Sequence, residues 1–119
     1  MTRIVLSVQV VNALNLVDNP TNQAILACID ESMREIAAAH AEVGLEGISD
    51  PKIEELLFLR RVLVALAAAE VDAAGVQAPE EAAELAEHVG RLGRALAPYL
   101  VAQRAQRVVR QLATLANRR

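Results

Sequence analysis

The first stretch of the chain alternates between aliphatic positions and a second, more polar series. The aliphatic series comprises Ile4, Leu6, Val8 and Val10, and the intervening series comprises Arg3, Val5, Ser7 and Gln9. A period of two in a run rich in β-branched residues is typical of a β-strand. The pattern predicts a short strand over residues 3–11, with a short buried helix as the alternative. A lone strand would leave backbone groups unpaired, so it would need a strand from a second chain.

The rest of the chain follows a helical period and is divided by prolines. Asn19-Pro20, Asp50-Pro51 and Ala78-Pro79 each place a proline at the first position of a helix. These signals predict helices over residues 20–43, 51–74 and 79–97, with Asp50 as a cap and Gly44 and Gly75 as stops. The inward stripe of the first helix would comprise Ile25, Ile29, Met33, Ile36, His40 and Val43.

Pro98 separates two apolar stripes that are out of phase with each other. The stripe before it comprises Leu85, Val89, Leu92 and Leu96, and the stripe after it comprises Val101, Ala105, Val108, Leu112 and Leu115. A proline disfavours helical geometry at the residue that precedes it. We therefore expect a kink at Pro98 and an amphipathic helix over residues 99–117, which could serve as a dimerisation arm. The predicted fold is mostly α: a bundle of three to four helices in a single domain, 1–119, with a short N-terminal strand and a Pro-kinked C-terminal helix.

Composition narrows the setting in which the chain would work. Apolar residues make up 54% of it, but Phe58 and Tyr99 are its only aromatic residues. Cys28 has no partner for an internal disulfide, which favours a reducing compartment and hence the cytoplasm. The longest apolar run, 62–69, is too short to span a membrane, so no membrane is expected. Arg3 before the apolar run 4–17 leaves a secretion signal as a minor alternative.

Charge is divided unevenly along the sequence. Residues 1–87 hold all fifteen acidic residues and five basic ones, a formal charge of −10, whereas residues 88–119 hold seven arginines and no acidic residue, +7. Arg104, Arg107 and Arg110 follow one another on the polar flank of the last predicted helix. We interpret this flank as one that meets the acidic front part of the chain or a second copy, with a nucleic acid as the alternative. The acidic total and the scarcity of aromatics and Lys count against nucleic acid.

Arg60 and Arg61 interrupt the most apolar of the predicted helices. An unpaired buried charge is costly, so both cannot point into a core without partners. We expect one to reach the solvent and the other to meet a carboxylate of Glu31, Glu35 or Glu70. An anionic ligand in a pocket between helices is the alternative.

The strand followed by helices resembles the ribbon-helix-helix repressors, in which paired N-terminal strands present polar residues to the major groove of DNA. Arg3, Ser7 and Gln9 carry this resemblance. Val5 interrupts the polar face, and the following helices look too long for that motif. The resemblance implies a small DNA-binding dimer.

His88 with Arg91 one turn later, in a helical domain, resembles a histidine phosphotransfer site. Such domains usually follow the basic residue with Gly, where this chain has Leu92. The resemblance implies an exposed, phosphorylatable His88.

We expect a non-catalytic protein-protein interaction or self-assembly module, working as a homodimer, because no catalytic motif stands out. The first alternative is a nucleic-acid-binding transcriptional regulator that uses the C-terminal arginines. The second is a bundle for histidine phosphotransfer or small-anion binding. No cofactor is expected, and no metal site, since the paired Glu-x-x-His helices of di-iron bundles are missing.

Overall fold

The computed structural model describes residues 6–15, 22–45, 50–97 and 99–118. The described residues contain five helices, which hold 84% of them, and no strand. The helices are α1 (Val8–Leu14), α2 (Asn22–Glu42), α3 (Pro51–Gly75), α4 (Pro79–Leu96) and α5 (Ala102–Ala116). The prediction of a mostly α protein is confirmed, and the predicted count of three to four helices is too low. The chain divides into two compact units, Met1–Arg61 and Val62–Arg119.

The N-terminal strand predicted over residues 3–11 is wrong where the structure describes it, because α1 occupies residues 8–14. Ser7 caps this helix, and its Oγ accepts a hydrogen bond from the Val10 amide at 3.4 Å. The buried positions are Leu6, Val10, Ala13 and Leu14, which follow a helical period. Val8, which a strand would place beside Val10, is 74% exposed. A helix satisfies its backbone groups internally, so no second strand is needed.

This correction also removes the basis of the ribbon-helix-helix resemblance. Gln9 lies within α1 rather than on a strand, and Ser7 is the helix cap. Arg3 lies outside the described residues, as does the predicted helix start at Pro20.

Helix α2 joins α1 in the first unit and ends as the sequence predicts. Gly44 has φ +73°, and the amides of Gly44 and Leu45 donate to the carbonyls of Ala41 and His40. A glycine in the left-handed conformation with these two nested hydrogen bonds forms a Schellman motif. The predicted inward stripe holds at Ile25 and Ile29 but fails at Val43, which is 69% exposed.

A polar contact ties α2 to the cap of α1. Ser32 is buried, and its Oγ lies 3.2 Å from Oγ of Ser7. Ser32 lies one turn beyond Ile29, next to Met33, which the predicted inward stripe names at this turn. Because a buried hydroxyl needs a partner, Ser32 fixes the start of α1 as well as filling space.

Helix α3 begins at the predicted proline and is buried along one side. Asp50 accepts a hydrogen bond from the Lys52 amide at 2.7 Å, which makes it the expected cap. The most deeply buried side chains recur at helical spacing: Leu56, Leu59, Leu63, Leu66 and Ala69.

The second unit contains α4 and α5, which pack against each other as a helical hairpin. The predicted kink is instead a complete break: α4 ends at Leu96 and α5 begins at Ala102. Ala97 between them is extended (ψ 143°), the geometry that a following proline imposes. The stripes on both sides of the break supply the buried residues, among them Val89, Leu96, Val101, Ala105, Val108 and Leu112.

Candidate functional site

The three C-terminal arginines of the predicted flank do not act as one group. Arg104 on α5 is ion-paired with Glu70 on α3: its Nη2 donates to Oε1, and its Nε donates to Oε2 at 3.4 Å. The Arg104 side chain is only 12% exposed. Its charge is therefore balanced within the second unit, by a carboxylate that the sequence analysis had considered for Arg60 or Arg61.

Arg107 and Arg110 remain exposed on α5. Neither forms an ion pair with any described carboxylate. Arg110 borders a groove on the α4–α5 hairpin, and Arg94 of α4 borders the same groove. The structure thus brings Arg110 together with an arginine that sequence reasoning had not singled out.

Of the two arginines on α3, one is ion-paired and the other is exposed, and the partner is not one of the predicted carboxylates. Arg60 Nε donates to Oδ1 of Asp30 on α2 at 3.0 Å, while Arg61 is exposed. The expected partners were Glu31, Glu35 and Glu70, and Asp30 precedes the first of these by one residue. Since both side chains of the pair are more than a third exposed, it contributes at most about 1 kcal/mol.

A second polar contact in the first unit was not anticipated. His40 Nε2 and Asp50 Oδ2 lie 2.6 Å apart, which links the last turns of α2 to the cap of α3. The hydrogen bond with His40, followed by the one from the Lys52 amide, lowers the pKa of Asp50. The sequence had marked both residues, Asp50 as a cap and His40 as inward-facing, but not their pairing. Asp50 therefore caps α3 and also contacts His40 in the last turns of α2.

The outward side of α3 is apolar over much of its length. Leu57, Phe58, Val64 and Val71 are all substantially exposed, and Val71 reaches 74%. Leu57, Val64 and Val71 are spaced by seven residues, which places them on one face of the helix. The sequence of α3 is apolar almost all round, so it does not show which side of the helix stays exposed. We call these four side chains the exposed α3 face.

Two further candidates are His88 and Cys28. His88 is exposed on α4, as a phosphotransfer site would require, and Cys28 on α2 is a half-buried free thiol. Within the described ranges, no three His, Cys, Asp or Glu side chains cluster as a metal site would need. Nor does any described helix combine the length and apolar character needed to cross a bilayer.

Comparison with known proteins adds no relative. No protein-family model matches the chain, and no significant match to it was found among curated proteins or solved structures.

Proposed function

We propose that this protein is a non-catalytic helical module that assembles with a second copy of itself. The observation that carries the proposal is the exposed α3 face. Single exposed apolar side chains are common on protein surfaces, but a repeated apolar row along one helix is typical of a contact surface. A row with a seven-residue spacing suits packing against another helix.

A second copy is the partner that the charges around this face favour. Arg61 and Asp72 are the exposed charged residues on α3 between Leu57 and Gly75, and they lie toward opposite ends of the face. Two α3 helices packed antiparallel about a two-fold axis would bring Arg61 of each copy toward Asp72 of the other. An interface of this kind is self-complementary, as a two-fold dimer requires.

The C-terminal arginines support the nucleic-acid alternative less well. Arg104 is already paired with Glu70, so Arg107 and Arg110 are the members of the flank left exposed. Two arginines supply a small part of the charge that non-specific binding to a phosphate backbone uses.

Measuring the mass in solution of Val71→Glu tests this proposal. The wild type is expected to sediment as a dimer at micromolar concentration, and Val71→Glu as a monomer, since a buried, unpaired carboxylate opposes association. Val8→Glu is the matched control, because Val8 is also 74% exposed but lies on α1. It should leave the dimer unchanged.

Two results would contradict self-assembly through α3. A wild-type protein that stays monomeric across the accessible concentration range would exclude the dimer. Equal dissociation by Val8→Glu and Val71→Glu would place the interface elsewhere. Far-UV circular dichroism of each variant distinguishes dissociation from loss of the helices.

A further inference from the structure

A groove of about 410 Å³ lies on the α4–α5 hairpin, entirely within the second unit. Apolar carbon lines much of it, from Val89 and Gly93 on α4 and Ala105 and Val109 on α5. At Gly93 the helices approach so closely that an added Cβ would lie 3.0 Å from the Cβ of Ala105. Gly90, one turn earlier, also lines the groove and contributes no side chain to fill it.

Two arginines border this apolar surface. The Nη1 atom of Arg94 lies 3.7 Å from the position that a Cβ on Gly90 would occupy, so the guanidinium folds back over the glycine. Arg110 and Gln106 border the groove from α5. No described carboxylate forms an ion pair with Arg94 or Arg110, in contrast to Arg104, which Glu70 neutralises.

We propose that this groove binds an aliphatic carboxylate of medium chain length, independently of the proposed self-assembly. The cavity falls within the range of about 300–1,000 Å³ that small-molecule sites occupy. Guanidinium groups bind carboxylates through paired, charge-assisted hydrogen bonds, so Arg94 and Arg110 would hold the head group. The aliphatic walls would hold the chain.

Both parts of the groove are needed to select this ligand class. An inorganic anion would use the two arginines but leave the apolar surface exposed to water. An uncharged hydrocarbon would cover that surface but leave the guanidinium groups unpaired. The lining also contains no aromatic side chain on which a flat ring could stack.

Calorimetric titration of the full chain with decanoate, below its micelle concentration, tests the proposal. We expect saturable binding of one decanoate per chain, and binding of decanol that is about tenfold weaker or less, because it lacks the charge. Arg94→Gln and Arg110→Gln should each weaken decanoate binding by about tenfold. Arg107→Gln is the matched control, since Arg107 is an exposed arginine of the same helix that does not line the groove. It should bind as the wild type does.

Gly90→Leu tests the apolar part of the site. A Cβ there meets the flexible end of Arg94 at an ordinary contact distance of 3.7 Å, so we expect the leucine side chain to extend into the groove. The variant should keep its helical circular dichroism and lose decanoate binding. In case a variant fails to fold, decanoate should also shift the wild-type amide resonances of Gly90 and Gly93 in NMR spectra, and not that of Gly44.

Several outcomes would overturn the proposal. One is that the wild type does not bind decanoate at millimolar concentration. Another is that decanol binds as tightly as decanoate. A third is that Arg107→Gln loses as much affinity for decanoate as Arg94→Gln and Arg110→Gln do. Binding of an acidic peptide but not of decanoate would show that the ligand class is wrong.

Discussion

The α4–α5 hairpin and the first unit are both helical, but the contacts between their elements differ. In the hairpin, close apolar packing dominates, with Gly93 against Ala105 and fully buried side chains at Val89 and Leu96. In the first unit, the contacts between elements include three polar pairs: Ser7 with Ser32, Asp30 with Arg60, and His40 with Asp50. Apolar packing produces a regular amphipathic pattern in the sequence, whereas polar pairs interrupt one.

This difference explains why the two regions were not equally predictable. The period of the hairpin stripes is set by the helices themselves, and a short connection makes them neighbours. In the first unit, Ser7 and Ser32 are 25 positions apart, so their pairing leaves no periodic trace. Without it, the alternation over residues 3–11 suggests a strand, although α1 begins at Val8.

The largest expected effect comes from truncating the hairpin core at Leu96, which is fully buried. Leu96→Ala should lower the free energy of unfolding by about 2–5 kcal/mol, because it removes apolar contacts and leaves a cavity. Urea unfolding followed by circular dichroism measures this loss. Leu100→Ala is the control, since Leu100 is 38% exposed and its truncation should cost less than about 1 kcal/mol. Similar losses at the two positions would show that buried apolar packing does not dominate here.

A smaller effect is expected at Glu70, the ion-pair partner of Arg104. Glu70→Gln removes the negative charge but keeps the shape, and it should lower the free energy of unfolding by about 1–2 kcal/mol. The pair of Glu87 with Arg91 is its control, because both side chains are more than half exposed and lie one turn apart on α4. Glu87→Gln should cost only about 0.2–0.5 kcal/mol in the same urea experiment.

The Glu70 variant also tests how strongly the second unit depends on its ion pair. If Glu70→Gln cost as much as Leu96→Ala, the second unit would depend on its ion pair as strongly as on its core. If it cost no more than Glu87→Gln, partial burial would not have strengthened the Arg104 pair.

Much of the fold could be predicted from the sequence, but little of the candidate site could be. The proline starts at Pro51 and Pro79 and the glycine stop at Gly44 depend on local backbone chemistry, so they were predicted correctly. The phase shift at Pro98 predicts a kink followed by a separate amphipathic helix, but not the reversal that packs α5 against α4, because a stripe shows the face of a helix and not the direction of the chain.

Which side chains form ion pairs and which stay exposed depends on the tertiary structure. The local sequence around each residue does not show it. Arg104, Arg107 and Arg110 look equivalent along the chain, but among the carboxylates that the structure describes, Glu70 pairs with Arg104 and none pairs with Arg107 or Arg110. Arg94 and Arg110 border the same groove because the hairpin brings α4 and α5 together, which neither residue's local sequence shows. The single-domain prediction for residues 1–119 remains a prediction.

The smallest expected effect is the loss of stability of the first unit in acid, which depends on the contact between His40 and Asp50. Because the folded state lowers the pKa of Asp50, its carboxylate adds stability above the ordinary Asp pKa of about 3.9. That contribution is lost as the pH falls through the lowered pKa. Asp50→Asn keeps a good helix cap but removes the charge. The wild type should therefore be the more stable protein near neutral pH, and its advantage should vanish in acid. Urea unfolding of both proteins between about pH 5 and pH 2 measures this difference.

In a His40→Gln background the advantage of the wild-type Asp50 should be smaller throughout, since the largest cause of the pKa shift is gone. A difference that stayed constant as the pH fell would show that the charge of Asp50 does not stabilise the first unit.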